Sequence, residues 1–339
     1  MEARRTELSL FYEDVEVSTQ IADYLIDFTY GDNAPGTTDD LQITIEDREQ
    51  LWQGEWIPHQ GDQIRAAIRV INWDGSGTSE TLPCGTFDVD SIDFSGPPDT
   101  LSIKAVSVPI GSNIRREKRT KAWEKMTLKG IAHEIAAKAK LSLLYEVGDN
   151  PKFERIDQTE QSDLAFLQEM VKKEGAAMKI SGGKIVLFDE AKYEQQAPVL
   201  EISRGDGKVL SFSFSWSANN AAYRACEFSY YDAEKKKAYK YTFVPPGAPE
   251  DGPVLKVNEQ VKSQAEAMKL AKTRLREKNK EFGKGSFSLV GNVRIAAGIT
   301  IIVRGWHDFD GKYIVESAKH SIGSGGYRTD IEVRKVLGW

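Results

Sequence analysis

The sequence has only two cysteines and no long apolar segment. Cys84 and Cys226 lie far apart in the chain, which argues against a disulfide framework and favours two small core residues. No window approaches the ~20 uninterrupted apolar residues that a membrane-spanning helix needs, and residues 1–7 lack the apolar core of a signal peptide. The sequence therefore predicts a protein without a membrane anchor that is made and folded in a cytoplasm.

Motifs of the common catalytic and metal sites are also missing. One of the four histidines is His133, but Ala137 stands four residues later, so the two-histidine zinc motif of metalloproteases is absent. No Cys or His cluster has metal-ligand spacing, and there is neither a phosphate-binding loop nor a Gly-x-Ser-x-Gly motif. We therefore expect no cofactor, no metal and no enzymatic activity. A glycosidase pair of carboxylates stays open, because such residues can lie anywhere in a sequence.

Composition and charge are those of an ordinary folded protein. The 339 residues are 40% hydrophobic and 28% charged, a length that predicts two or three domains. The net charge of −6 gives no support to nucleic-acid binding as the main role, although a local basic face stays open.

Two stretches of the chain share one β pattern. Near the C-terminus, strand candidates separated by Gly-rich turns cover residues 299–303, 313–317 and 329–333. Upstream, a similar series covers residues 64–73, 88–92 and 101–105. In both, a Gly opens the first strand, a Trp follows it, and a Gly-x-aromatic pair enters the next. This repetition predicts a mainly β fold with two related small antiparallel β-barrels in one chain.

An α+β insertion separates the two β stretches. Thr127 and Ser162 each precede a stretch with one apolar face, which predicts two capped helices, and a hairpin follows them. Ser263 and Glu266 form a capping box that predicts a long helix at about 263–281. We therefore predict a first β-barrel (tube-type) domain at 1–110, a small α/β module at 111–196, and a second β-barrel domain with the inserted helix at 197–339.

The candidate functional residues are interface residues at strand ends, where the rims of the predicted barrels would meet neighbouring proteins. We predict this role for Trp52, Trp56, His59, Gly61, Trp306, His307, Gly311 and Tyr313. For each of them the alternative is packing at a barrel end or a turn that requires glycine.

The chain also resembles a known family. Residues 298–303, 309–320 and 326–334 look like the C-terminal end of the phage late control protein D family, the baseplate hub proteins of contractile phage tails, tailocins and related injection systems. Residues 158–167 resemble the same family's polar turn into a helix, and residues 39–47 with Trp56 and Gly61 resemble its N-terminal half. Each motif is short and degenerate, and their order along most of the chain is the specific feature.

The resemblance implies a structural role. A hub of this family is expected to be a ring-shaped homotrimer with a pseudo-six-fold face that joins the hexameric tail tube protein to the trimeric central spike protein. The tape-measure protein in or near the lumen and the baseplate wedge proteins are further expected partners, with DNA only in transit. The expected location is the baseplate of a virion or phage-tail-like particle, assembled in the bacterial host cytoplasm. Because no lysozyme-like or needle segment is apparent, the spike is expected to be a separate polypeptide.

Two other functions remain open from the sequence. Residues 127–136 faintly resemble wall-binding LysM repeats, which would fit a peptidoglycan-acting or cell-wall-binding tail protein. The other alternative is the hub of a secretion-system spike. Such proteins usually continue into a Gly-rich β-helix, whereas here the second β pattern lies shortly before Trp339.

Overall fold

The computed structural model describes residues 3–54, 56–217, 223–233 and 236–339. Strands account for most of its regular structure, with five α-helices among the described residues. None of these helices combines the length and the apolar character that a membrane span requires.

The N-terminal part is a β unit with one short helix. Its elements are β1 (Arg5–Tyr12), β2 (Val15–Glu16), α1 (Ser18–Ala22), β3 (Leu25–Asp32), β4 (Asp40–Glu46), β5 (Gln63–Ile71), β6 (Ser79–Ser95) and β7 (Thr100–Val106). Leu41, Ile43 and Ile45 alternate along β4 and are buried, because successive side chains of a strand point to opposite faces. A short 3-10 helix at Ile110–Ser112 follows.

The middle part is an α/β module, as predicted. Its elements are β8 (Lys118–Thr127), α2 (Leu128–Lys138), β9 (Ser142–Glu146), β10 (Lys152–Ser162), α3 (Asp163–Lys173), β11 (Ala177–Ser181), β12 (Lys184–Phe188) and α4 (Glu190–Gln195). Both predicted helix caps are confirmed. The Thr127 hydroxyl accepts the Gly130 N–H at 3.1 Å, and the Ser162 hydroxyl accepts the Ala165 N–H at 3.3 Å.

The C-terminal part returns to strands and contains the long helix. Its elements are β13 (Leu200–Ser203), β14 (Val209–Trp216), β15 (Ala225–Asp232), β16 (Lys237–Phe243), β17 (Val254–Val257), α5 (Gln264–Asn279), β18 (Gly283–Val290), β19 (Thr300–Arg304), β20 (Gly311–Gly323) and β21 (Gly326–Lys335). At the predicted capping box, the Ser263 hydroxyl accepts the Glu266 N–H at 3.1 Å. The Glu266 carboxylate accepts the Lys262 N–H at 2.7 Å, one residue before the expected donor.

Strand β20 joins the two predicted β patterns into one sheet. Its first half pairs with β19, its second half pairs with β3, and β21 runs along its other side. The resulting 13-stranded sheet has the order β14-β18-β21-β20-β3-β4-β7-β6-β5-β1-β2, with β19 and β13 branching from β20. The mainly β fold with an α+β insertion is confirmed. Both β meanders are present, but no strand pairing among the described residues closes either one into a separate barrel.

Four hydrophobic clusters stabilise these parts. The first fills the N-terminal β unit and includes Cys84, and the second fills the α/β module. The third is formed by side chains of β13 and of β18, β19, β20 and β21. The fourth packs α5 against β15 and β16 and includes Cys226. Each fully buried large apolar side chain contributes about 1.5–3 kcal/mol. The two cysteines are free and buried, which confirms the prediction of core residues.

Candidate interaction surfaces

The first group of predicted interface residues lies in the loop between β4 and β5. Trp52 is half-buried and packs edge-on against Trp56, with ring centroids 5.5 Å apart, whereas Trp56 is 47% exposed. His59 is exposed, and its N–H donates to Asp62 Oδ2 at 2.6 Å. Gly61 is exposed at φ +92°, a backbone conformation that favours glycine.

The second group surrounds the turn between β19 and β20. Trp306 and Tyr313 are buried, and the Tyr313 hydroxyl donates to the Phe309 carbonyl at 2.7 Å. His307 is exposed and Gly311 begins β20 at φ +139°. Burial gives Trp306 and Tyr313 a packing role within the chain. An interface role for exposed members of the two groups, such as Trp56 and His307, stays a prediction.

Strand β14 forms an exposed apolar edge that the sequence pattern predicted only as a strand. We call Leu210, Phe212 and Trp216, which are 52%, 43% and 44% exposed, the aromatic edge. One side of β14 pairs with β18, and among the described residues no strand pairs with its other side. Two cations flank it: the Arg204 guanidinium lies 5.6 Å from the Phe212 ring, and Lys335 Nζ lies 5.9 Å from the Trp216 ring.

The aromatic edge is continuous with the second predicted group. The Phe212 ring lies 5.1 Å from the Trp306 ring, and the Trp216 ring lies 4.5 Å from the Phe309 ring. These contacts hold β14 against the turn between β19 and β20. The signal in the sequence was the alternation of Leu210, Phe212, Phe214 and Trp216 with serines, which marks a strand but not its place at a sheet edge.

The far end of the same sheet also has an open edge. One side of strand β1 pairs with β5 along the whole length of β1. On the other side of β1, strand β2 pairs only with Phe11 and Tyr12, and the Ser18 hydroxyl accepts the Leu10 N–H at 2.9 Å. Within the part of the chain that the structure describes, nothing pairs with the outer side of residues 5–9. An unpaired strand edge is a template for another strand.

An apolar cavity of about 280 Å³ opens beside Trp52 and Trp56. Aliphatic side chains from β1, α1, β4, β5 and β7 form part of its wall: Leu10, Ile21, Ile43, Ile64 and Ile103. The indole Nε1 of Trp52 is buried and has no hydrogen-bond partner among the described residues.

A buried ion cluster joins the N-terminal β unit, the α/β module and the C-terminal part. Lys179 on β11 pairs with Asp32 on β3, and its Nζ lies 3.2 Å from Asp39 Oδ1. The other carboxylate oxygen of Asp32 accepts the Ala297 N–H at 2.7 Å. Asp39 is fully buried, and this burial raises the pKa of its carboxyl to about 6.

A second buried ion cluster joins α4, α5, β20 and β21. Arg334 Nη1 lies 2.8 Å from Glu194 Oε1, and Arg334 Nε lies 3.2 Å from Glu316 Oε1. Arg276 on α5 reaches the same Glu194 oxygen at 2.7 Å. Buried pairs of this kind are costly to break by removing one partner, because the remaining charge is left unpaired. Neither cluster was identified from the sequence, since its members are far apart in the chain.

Among residues 3–54, 56–217, 223–233 and 236–339, no group of three or more His, Cys, Asp or Glu residues could hold a metal ion. The features that distinguish the surface are the two open strand edges and the apolar cavity.

Comparison with known families gives a match over two thirds of the chain. The model of a family described as phage tail baseplate hub (GPD) matches residues 100–326. The probable baseplate hub protein of Escherichia phage 186 is 28% identical over 208 residues, which are 59% of this chain and 50% of that protein. The chain therefore spans about half the length of this curated relative.

Solved structures share the fold over nearly the whole chain. The tail protein from Neisseria meningitidis MC58 has a TM-score of 0.73 and 14% identity, covering 98% of both chains. An E. coli component of the type VI secretion system has a TM-score of 0.57 and 12% identity, covering 93% of this chain and 75% of that one. At these identities the likeness shows the fold alone.

Proposed function

Because the chain belongs to the phage tail baseplate hub (GPD) family, we propose that it is a structural, non-enzymatic hub of the baseplate of a contractile particle. The family match carries this proposal, and the curated relative from phage 186 bears the same description. The protein acts by holding other proteins in place, so its chemistry lies in its surfaces.

The hub is a homotrimer in which neighbouring copies meet edge to edge. One sheet of this chain has open edges at its two opposite ends, β14 and β1, which supports a contact between different surfaces of the two partners. Such heterologous contacts generate a ring when the rotation between copies closes. With two related β meanders per copy, three copies present six similar units on one face.

The ring joins two neighbours of different symmetry. Its pseudo-six-fold face contacts the hexameric tail tube protein, and its three-fold face contacts the central spike protein. The tape-measure protein ends in or near the lumen, and wedge proteins surround the ring. The proposed place of assembly is the cytoplasm of a bacterial host, and the proposed final location is the baseplate of the particle. Exposed residues of the two predicted interface groups, including Trp56, His59 and His307, are proposed contacts at these faces.

The mass of the purified protein in solution tests this proposal. Light scattering behind a sizing column, at several concentrations, is expected to give a species of about three times 37.9 kDa. Negative-stain images of that species are expected to show rings. If the protein is monomeric alone, the measurement is repeated with the candidate spike protein present, because a weak ring gains stability from a bound partner. A monomer under both conditions would contradict the hub proposal.

The hub of a secretion-system spike is the second candidate. The fold shared with the E. coli type VI secretion component supports it. The phage assignment ranks first because the family model and the phage 186 relative match in sequence. Sedimentation of particles from induced cells, followed by immunodetection of this protein, separates the two: a phage or tailocin hub co-sediments with sheathed tails that are released by lysis.

A further inference from the structure

The apolar cavity beside Trp52 has room for one large apolar side chain. Its volume is about 280 Å³, and a cavity of about 150 Å³ lined by apolar side chains already binds benzene. Leu10, Ile43 and Ile64 in its wall are buried, whereas Trp56 beside it is 47% exposed. A water molecule would find few hydrogen-bond partners against such a wall.

One polar atom near the cavity lacks a partner. Trp52 contributes to the cavity wall, and its Nε1 is buried without an acceptor among the described residues. A buried N–H without an acceptor is destabilising by about 1–3 kcal/mol. Because that atom has less than 1 Å² of accessible surface, a ligand in the open cavity contacts the apolar part of the Trp52 ring and not its N–H.

The segments that frame the cavity are strongly acidic. Its lining residues outside the sheet lie within 11–24 and 46–63, and the described residues of these segments that are not buried include seven Asp and Glu against one Arg and no Lys. Seven negative charges less one positive charge give an excess of six, which equals the net −6 of the whole chain. The Arg65 guanidinium, 4.2 Å from the Phe11 ring at the cavity wall, offsets part of it.

We propose that this cavity is a docking site for a partner protein segment in which one large apolar side chain is flanked by Lys or Arg residues. The apolar side chain fills the cavity, and the flanking cations lie against the acidic segments. Val15 and Ile57, which are 63% and 38% exposed and belong to the same segments, extend the apolar contact. Nucleic acid is repelled by the same charge, so the occupant is a protein.

Three short peptides test the chemistry of the site. The probe acetyl-Lys-Arg-Leu-Lys-Arg-amide is titrated into the full-length protein by calorimetry, up to millimolar concentration. The second peptide replaces Leu by Ser, and the third replaces the four basic residues by Glu. We expect the first to bind about tenfold more tightly than the second, because burial of the Leu side chain is lost. We expect binding of the first peptide to weaken with added salt and the third not to bind.

Two variants locate the binding. Gln20→Trp places a bulky ring at the cavity, and because Gln20 is exposed it leaves the core unchanged. Glu16→Lys with Asp23→Lys removes negative charge from the exposed frame. Each is expected to weaken binding about tenfold or more, whereas Tyr231→Ala, an exposed aromatic in a different sheet, is expected to leave it unchanged. Thermal unfolding of each variant checks that the fold is retained.

The outcomes separate this proposal from its alternatives and from the hub function. Absence of binding by the basic Leu peptide, or binding that Gln20→Trp leaves unchanged, would overturn it. Self-association that Gln20→Trp abolishes would identify a second copy of this chain as the occupant and would also overturn it. The trimer mass is a separate measurement, so the docking site and the hub function can fail independently.

Discussion

At the scale of single residues, Asp39 is the group whose burial has the clearest consequence. Its carboxyl has an ordinary pKa of 3.8, and burial raises that pKa to about 6 in the folded protein. Between these values the folded state binds more protons than the unfolded state, so the contribution of Asp39 to stability falls as pH rises. Lys179 and Asp32 form an ion pair beside it.

Replacing this carboxyl by an amide should remove that pH dependence. Relative to Asp39→Asn, the free energy of unfolding of the wild type is expected to fall by about 2 kcal/mol from pH 4.5 to pH 7. Denaturant unfolding at both pH values measures it. Asp23→Asn, which changes an exposed carboxylate, serves as the control. The assignment would be contradicted if the free energy of unfolding of the wild type, relative to that of Asp39→Asn, were constant with pH or increased as pH rises.

Individual aromatic residues show where sequence information ends. Alternation predicted strands around Trp306 and Tyr313, but it did not show that both are buried while Trp56 is exposed. Burial depends on distant partners: the indole N–H of Trp73 donates to the Gly291 carbonyl at 2.6 Å, across 218 positions of sequence. The role of each predicted interface residue therefore could not be decided from its local pattern.

At the scale of elements, strand β20 is the instructive case. The sequence predicted a strand at 313–317, and the structure extends it to Gly323 because its second half pairs with β3. The helices and their caps were predictable from the sequence, because the Thr127 and Ser162 side chains accept N–H groups of the helices that directly follow them. Which strands become neighbours is a long-range property, so the shared sheet was missed. The domain limits near 110 and 196 stay predictions.

The edge strand β14 carries the element-scale prediction. Leu210→Lys with Trp216→Lys places two charges on an exposed strand edge, a change that natural proteins use to block edge pairing. We expect the light-scattering mass to shift from trimer to monomer. The melting temperature of the isolated chain is expected to fall, because the Trp216 ring loses its packing against Phe309. Circular dichroism at the temperature of the mass measurement checks that the variant is still folded.

A control is Phe94→Lys on β6, where the side chain is 42% exposed and β7 pairs with the strand, away from both end strands of the sheet. It is expected to keep the wild-type mass. If the β14 variant remains a trimer, β14 lies outside the contact between copies.

At the scale of the whole molecule, the position of both open edges on one sheet supports a contact between different surfaces of neighbouring copies. Two copies that meet through identical surfaces would close as a dimer, whereas the joining of opposite ends leaves one free edge at each end of a pair. A ring is the arrangement in which no edge stays free. The family assignment alone does not specify this contact, and the strand order is the observation that supports the proposal.

Mixing two blocked variants tests that type of contact under the conditions in which the wild type is a trimer. One variant is Leu210→Lys with Trp216→Lys, and the other is Glu7→Lys with Ser9→Lys, two residues on the face of β1 opposite the core, in the part of the strand that β2 leaves unpaired. Each alone is expected to be monomeric. An equimolar mixture is expected to give heterodimers of about two times 37.9 kDa, because each partner retains the edge that the other has lost. Dimers of either variant alone would indicate identical surfaces in contact, and a monomeric mixture would place the contact elsewhere on the molecule.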